Sequence, residues 1–172
     1  MSRQAESVLT PEIKALIGEK GEMVEGWGVV DEEYLRRFVQ ALPDWDPTYW
    51  DAEFARKTRF KARTVPPVMV TYMAGRRPLE EWSPVEGRPE VERGSLPRIP
   101  TKLDRHLHGG DAVEVFQYPK LGDSVCYQRR YADIQERVGG DGKPFLVIIA
   151  ETTYWNQKNE VLCKVRSTYI NR

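Results

Sequence analysis

Side chains that could carry out acid–base chemistry are concentrated in residues 43–51, Pro-Asp-Trp-Asp-Pro-Thr-Tyr-Trp-Asp. Asp44 and Asp46 could exchange protons or hold a water molecule, and Tyr49 could donate a hydrogen bond to that water. Two prolines make the segment stiff, and its carboxylates make it too polar for a core. We therefore take it as the first candidate for an active site. The alternatives are a solvated or helix-capping role for Asp44 and a packing role for Tyr49 and Trp50.

The chain has two histidines, His106 and His108. Imidazole is the side chain best suited to act as a base near neutral pH. His108 stands before Gly109 and Gly110 and is the better candidate of the two. The alternative is a structural histidine that is held by hydrogen bonds.

Composition limits the classes of function. The chain has 172 residues, 40% of them hydrophobic, and its 26 basic and 26 acidic residues balance to a net charge of zero. The length predicts a single domain over residues 1–172, and the neutrality argues against a nucleic-acid or anionic-membrane partner. Membrane-span and secretory-signal patterns are absent, so a cytoplasmic protein is expected. Cys126 and Cys163 lack metal-ligand spacing and are interpreted as reduced thiols, with a disulfide as the alternative.

Helix signals occupy the first half of the chain. Thr10 and Asp31 are typical N-caps, and Pro11 suits the first turn of a helix. Residues 68–74 are apolar almost all round, which predicts a buried central helix. Helices are predicted at 10–17, 31–42, 51–58 and 68–74.

The hydrophobic period changes to two in the second half of the chain, which is typical of strands. Strands are predicted at 23–30, 111–118, 124–138, 145–155 and 161–170. Tight turns join the last three into an antiparallel meander, so the fold class is α+β with a sheet of about five strands. Residues 1–9 are expected to be flexible. Residues 75–107 contain five prolines and predict a long excursion over the surface.

Three motifs in order resemble the MaoC-like hydratases, in particular their amino-terminal, FAS1-like dehydratase branch. Residues 38–55 are similar to the hydratase motif, an apolar helix followed by Gly-Asp-x-Asn-Pro-x-His, an acid and a helix with alanine. Val65-Pro66-Pro67 is similar to the Ala-Pro-Pro that opens the central helix of that branch. Leu107-His108-Gly109-Gly110 and Leu121-Gly122-Asp123 resemble its His-Gly and Gly-Asp elements.

The resemblance spans roughly residues 10–171. It implies a hot-dog fold, in which an antiparallel sheet wraps a long central helix. It also implies reversible addition of water to the 2,3 double bond of an enoyl thioester, usually on coenzyme A. In complete family members the Asp and His of the motif activate the water, and N–H groups at the start of the central helix stabilise the enolate.

Aligned with that motif, Asp44 takes the place of the Asp, Asp46 of the Asn and Tyr49 of the His. A phenol, with a reference pKa of about 10, is a poor base for water addition at neutral pH. Asp44 is then either a retained acid or base or a vestige that shapes the pocket.

Basic residues on the strand-like segments could contact the phosphates of coenzyme A, although most such charges are simply solvated; the residues are Arg129, Arg130, Lys164 and Arg166. No cofactor is expected beyond the coenzyme A of the substrate, and no metal. The catalytic candidates are Asp44, Tyr49 and His108. The substrate-binding candidates are Asp46, Val65, Pro66, Pro67, Val68, Gly109 and Arg129.

The missing motif His favours a subunit of a heteromeric enoyl-CoA hydratase that is not active alone. A second MaoC-like chain with an intact Asp/His motif would be its partner, in a dimer or a dimer of dimers. One alternative is a self-sufficient homodimeric hydratase that uses Asp44 with His108. Another is an acyl-thioester-binding module without turnover.

Overall fold

The computed structural model describes residues 7–75 and 94–172 of the chain. A five-stranded sheet dominates these residues, and every pair of neighbouring strands is antiparallel. The strands are β1 (Val24–Val29), β2 (His106–Val115), β3 (Ser124–Val138), β4 (Pro144–Asn156) and β5 (Val161–Asn171). Their order is β1-β3-β4-β5-β2, so the meander β3-β4-β5 forms the centre and β1 and β2 form the edges.

The helices are α1 (Pro11–Ala15), α2 (Glu32–Ala41), α3 (Pro47–Trp50), α4 (Ala52–Lys57) and α5 (Met69–Ala74). Thr10 and Asp31 cap α1 and α2, as predicted. Helix α3 was not predicted, because a helix of four residues leaves no periodic pattern. Among the described residues, no helix is long and apolar enough to cross a bilayer.

Helix α5 packs against one face of the sheet, which we call the inner face. Met69, Val70 and Met73 of the helix are buried together with Tyr127 of β3 and Tyr154 of β4. We call this group the α5 cluster. The burial predicted for residues 68–74 is thus found on one side of the helix, whereas Val68 and Tyr72 are 44% and 66% exposed.

A second buried group lies further along the same strands. Tyr131 of β3 and Ile148 of β4 pack there with Ile13 of α1 and with Leu96 and Ile99. We call it the loop cluster, because residues 94–104 supply part of it. Two separate structures therefore cover the inner face, α5 at one end and residues 94–104 at the other.

The α+β hot-dog class is confirmed. Helix α5 has six residues and is shorter than the long central helix that was expected. Strand β2 begins at His106, earlier than the predicted start at 111, so the excursion predicted for 75–107 ends sooner. The part of that excursion at 76–93 lies outside the described residues.

Residues 7–9, which were expected to be flexible, are attached to β3. The carboxylate of Glu136 accepts hydrogen bonds from the Ser7 hydroxyl at 2.8 Å and from the N–H groups of Val8 and Leu9 at 2.7 and 2.9 Å. A carboxylate that accepts several hydrogen bonds is favoured in its charged form, and the pKa of Glu136 is lowered accordingly. Residues 1–6 lie outside the described part.

Candidate functional site

The three aspartates of residues 43–51 all accept hydrogen bonds from the local backbone. Asp44 Oδ1 accepts from the Asp46 N–H at 3.2 Å and closes a turn after α2. Asp46 caps α3 by accepting from the Thr48 N–H at 2.9 Å. Asp51 caps α4 in the same way. These contacts are of the capping kind, and they hold the motif in shape.

Tyr49, in the position of the family His, is 7% exposed and belongs to the α5 cluster. Burial raises the pKa of its phenol to about 12, and the nearby Asp44, Asp46 and Tyr118 add to the shift. A phenol with that pKa stays protonated at neutral pH. Tyr49 can therefore pack and donate a hydrogen bond, but it cannot remove a proton from water.

Residues 65–68 lead into α5. Val65 and Pro66 are buried, whereas Val68, at the N-cap of the helix, is 44% exposed. The first turn of the helix uses its own donors, since the N–H groups of Met69, Val70 and Thr71 bond to the carbonyls of Pro66, Pro67 and Val68. Within the part of the chain that the structure describes, the N–H of Val68 has no hydrogen-bond acceptor.

A cleft of about 1200 Å³ opens on the inner face of the sheet, between the start of α5 and residues 94–104. Val68 and Arg129, two of the predicted substrate-binding residues, line it, and so does His106. The other predicted site residues do not line the described cleft; they are Asp44, Asp46, Tyr49, Val65, Pro66, Pro67, His108 and Gly109. The hydratase motif and the cleft are therefore separate features of this chain.

Two rows of side chains form the floor of the cleft, and each row crosses four strands of the sheet. The first row consists of Arg129, Thr152, Val165 and Val113. The second row consists of Tyr131, Ala150, Ser167 and Asp111. Sequence reasoning selected Arg129 and missed the others. Alternation within a strand places Tyr131 on the face of Arg129, but it does not reveal the pairing between strands.

His108 lies on the edge strand β2, beside Asp111 and Tyr169, which line the cleft. Its Nε2 is 3.2 Å from Asp111 Oδ1, and both side chains are about half exposed. A hydrogen bond from Ser167 lowers the pKa of Asp111, and His108 lowers it further. His106 Nδ1 lies 2.8 Å from Asn171 Oδ1. Asp111 is thus the carboxylate beside His108.

Arg129 and Arg130 are neighbours on β3 and lie on opposite faces of the sheet. Arg130 and Arg166 both bind the carboxylate of Glu151 at 2.8 Å on the outer face of the sheet, and Glu151 is 2% exposed. Arg129 faces the cleft instead, and its guanidinium lies 5.3 Å from the centroid of the Tyr127 ring. Among the basic residues that were considered for phosphate binding, Arg129 is therefore the one inside the cleft.

Within residues 7–75 and 94–172, no group of three or more His, Cys, Asp or Glu side chains could hold a metal ion. Cys126 and Cys163 are free thiols. Burial raises the pKa of the Cys163 thiol to about 11, and the pKa of Cys126 is raised as well, first by burial and then by Glu25. Thiols of this kind are poor nucleophiles near neutral pH.

The strand order, together with a short helix packed on the inner face, defines the hot-dog class of folds. A family model described as "FAS1-like, dehydratase domain region" matches residues 15–165. The chain belongs to this family of MaoC-like dehydratase domains. A comparison with curated proteins found no match.

Solved structures share the fold at low sequence identity. The ChsH1-ChsH2 complex from Mycobacterium tuberculosis matches with a TM-score of 0.69 and 13% identity, over 92% of this chain and 86% of that chain. A MaoC-like dehydratase from Rhodospirillum rubrum has a TM-score of 0.62 and 15% identity, over 90% and 91%. The C-terminally truncated HadBC (3R-hydroxyacyl-ACP dehydratase) complex from Mycobacterium tuberculosis has a TM-score of 0.59 and 15% identity, over 91% and 97%.

Proposed function

We propose that the chain is a subunit of a heteromeric enoyl-CoA hydratase or 3-hydroxyacyl-thioester dehydratase. The observation that carries the proposal is the buried Tyr49, whose phenol has a pKa of about 12 where the family motif has its His. Water addition at neutral pH needs a base, and this motif lacks the His that activates the water together with the Asp in complete family members. A second MaoC-like chain with an intact Asp/His pair would supply it.

In the proposed reaction the partner's base removes a proton from water while the water oxygen bonds to C3 of the enoyl thioester. The electrons of the double bond move toward the thioester carbonyl, and the resulting enolate is protonated at C2. The product is a 3-hydroxyacyl thioester, and the reverse reaction loses water. The reaction needs no cofactor beyond the coenzyme A that the substrate carries.

The contribution of this chain is the cleft. Its volume of about 1200 Å³ exceeds that of an ordinary small-molecule pocket and leaves room for an acyl group with part of the pantetheine arm. Val68, Ile148 and Val165 give the lining an apolar part, while Thr152 and Ser167 add hydroxyl groups. Such a lining suits a thioester, which has a long apolar portion and a few polar atoms.

Strand β2 is the surface on which we expect the partner. Every residue of β2 except Gly110 is exposed, and in the described part of the chain β2 pairs with β5 on one side. Leu107, Val113 and Val115 place apolar side chains on it, each between 42% and 45% exposed. A long exposed edge strand with apolar side chains readily pairs with another strand. Two hot-dog domains joined through β2 would share one continuous sheet, in a dimer or a dimer of dimers.

The test is to purify the chain alone and together with a MaoC-like chain that carries an intact Asp/His motif. Hydration of crotonyl-CoA and of a longer enoyl-CoA is then followed by the loss of enoyl absorbance. We expect activity in the mixture and none from the single chain. Full activity of the single chain contradicts the proposal, and thioester binding without turnover in both samples indicates a binding module instead.

A self-sufficient homodimeric hydratase is the second candidate. The pair His108–Asp111 favours it, because the imidazole lies 3.2 Å from a carboxylate that lines the cleft. In that case the single chain is active and His108→Ala abolishes the activity. An active single chain that tolerates His108→Ala excludes this histidine as the base.

A further inference from the structure

Arg129 lies in the gap between the two groups of buried residues on the inner face. Tyr127, two positions before it on β3, packs in the α5 cluster, and Tyr131, two positions after it, packs in the loop cluster. Side chains two apart on a strand share a face. Arg129 is therefore a charged residue placed between two apolar groups, at the floor of the cleft.

The guanidinium of Arg129 has no carboxylate partner among the described residues. It makes a cation–π contact with the ring of Tyr127, whose centroid is 5.3 Å away. Arg130, the next residue, is bound at 2.8 Å by Glu151 and shows how this sheet pairs its other arginines. Removing a charge from water is unfavourable unless another charge or several hydrogen bonds compensate. A half-buried arginine that faces a cleft, with no carboxylate partner within residues 7–75 and 94–172, is suited to bind an anion.

The charged residues of the cleft lining also favour an anionic ligand. The lining contains three cationic side chains, Arg98, Lys102 and Arg129, and two carboxylates, Asp104 and Asp111. Asp111 lies in the second row of the floor, on β2, and interacts with Ser167 and His108. The lining as a whole therefore has one more cationic side chain than carboxylates, and Arg129 on β3 lies at the opposite end of the floor from Asp111 on β2.

We propose that Arg129 binds an anionic group of the thioester ligand at the floor of the cleft. The choice of a thioester rests on the proposed function, whereas the recognition of an anion rests on the charges and the burial. The anion is either a phosphate of the carrier or a carboxylate at the far end of the acyl chain. Both accept two parallel hydrogen bonds from a guanidinium.

The size of the floor agrees with such a ligand. Arg129 on β3 and the β2 end of the floor are separated by three spacings between strands, which is about 14 Å. Thr152, Ala150 and Ser167 lie between them and leave space above the floor because they are small. A ligand that is held by its anion at Arg129 can extend across the sheet from there.

The experiment measures binding to the full chain by calorimetry with three probes. Crotonyl-CoA carries phosphates, crotonyl-pantetheine carries no anion, and the pantetheine thioester of glutaconic acid carries a carboxylate at the end of the acyl chain. The variants are Arg129→Gln and, as a matched control, Arg137→Gln on the same strand. Arg137 is exposed and lies outside the cleft lining.

We expect Arg129→Gln to weaken binding of an anionic probe by about tenfold or more and to leave the neutral probe within about twofold. A loss with crotonyl-CoA assigns the anion to the carrier phosphates. A loss with the glutaconic thioester assigns it to the acyl chain. Arg137→Gln should bind all three probes like the wild type.

The proposal is overturned if the wild type binds none of the probes, or if Arg129→Gln binds the anionic probes normally. An equal loss for the neutral probe, or the same loss in Arg137→Gln, overturns it as well. If Arg129→Gln does not fold, binding to the wild type provides the test. The proposal is then contradicted if, at low salt, the wild type binds every anionic probe less than about threefold more tightly than the neutral probe. Binding of anions without turnover in any mixture would refute the hydratase function and leave the anion site standing.

Discussion

The hydroxyl of Thr64 donates a hydrogen bond to the hydroxyl of Thr48, and the two oxygens lie 3.3 Å apart in a buried setting. The Thr64 N–H also donates to the Thr48 carbonyl at 3.1 Å. Thr48 belongs to α3, inside the substituted hydratase motif, and Thr64 precedes the segment that enters α5. The pair therefore joins the motif to the segment that leads into the central helix.

Removal of one hydroxyl of this pair is expected to destabilise the chain. Thr48→Val and Thr64→Val each leave a buried hydroxyl without a partner, at a cost of about 1–2 kcal/mol in the free energy of unfolding. The double variant should lose less than the sum of the two, because no unpaired hydroxyl remains. Urea unfolding monitored by circular dichroism measures all three values. Strict additivity would show that the hydroxyl contact contributes nothing.

Tyr49→Phe tests the packing role of the phenol. The ring stays in the α5 cluster, and the hydroxyl already remains protonated at neutral pH because its pKa is about 12. The activity of the mixed complex, and its dependence on pH, should match those of the wild type within about twofold. A loss of a hundredfold or a shifted pH profile would assign chemistry to the hydroxyl.

Glu151→Gln tests the shared ion pair on the outer face. Two arginines bind this buried carboxylate, so its loss should lower the free energy of unfolding by about 2 kcal/mol at pH 7. This value is below that for a fully buried pair, since both arginines also reach water. Lys57→Gln, at an exposed ion pair on α4, is the control and should change little.

The same variant should remove part of the acid sensitivity of the chain. Burial on its own raises the pKa of Glu151, but the hydrogen bonds from Arg166 and Arg130 outweigh it, so the pKa is lowered overall. A lowered pKa contributes stability above the unfolded value of about 4.3, and that stability is lost as the pH falls through the folded value. The difference between wild type and Glu151→Gln should therefore narrow below pH 4.3. A constant difference down to pH 3 would contradict this linkage.

Gly26→Ala is expected to disturb the contact between β1 and α5. A Cβ atom at Gly26 would lie 2.8 Å from the Val125 carbonyl oxygen and 3.0 Å from Ala74 Cα, and both of these are backbone atoms. The substitution should lower the free energy of unfolding by about 2 kcal/mol. Gly140→Ala is the matched control, because a Cβ there would meet nothing within 4 Å. Equal stability of the two variants would show that β1 moves freely away from α5.

Leu107→Lys tests β2 as the partner surface. A lysine on an exposed edge strand opposes pairing with a second strand, so the variant should fail to co-elute with the MaoC-like partner in size-exclusion chromatography. Val138→Lys is the control, because Val138 is 67% exposed at the far end of β3. Normal assembly of Leu107→Lys would place the interface elsewhere.

Much of the architecture could be predicted from local patterns. Asp31 caps α2, and the meander of β3, β4 and β5 begins and ends within a residue or so of its predicted bounds. The early start of β2 was missed because Gly109 and Gly110 interrupt the alternation that marks a strand. The attachment of residues 7–9 was missed because Glu136 is more than a hundred residues away in sequence.

The sequence by itself determined the class of fold, the family and the presence of Tyr49 where the family motif has its His, since these depend on residue types at short spacings. The tertiary structure decided that Tyr49 is buried, that His108 meets Asp111, and that Arg129 and Asp111 share the floor of one cleft. The physical reason is that register between strands depends on long-range pairing. Local periodicity assigns a side chain to a face of the sheet, but only the assembled sheet determines its neighbours.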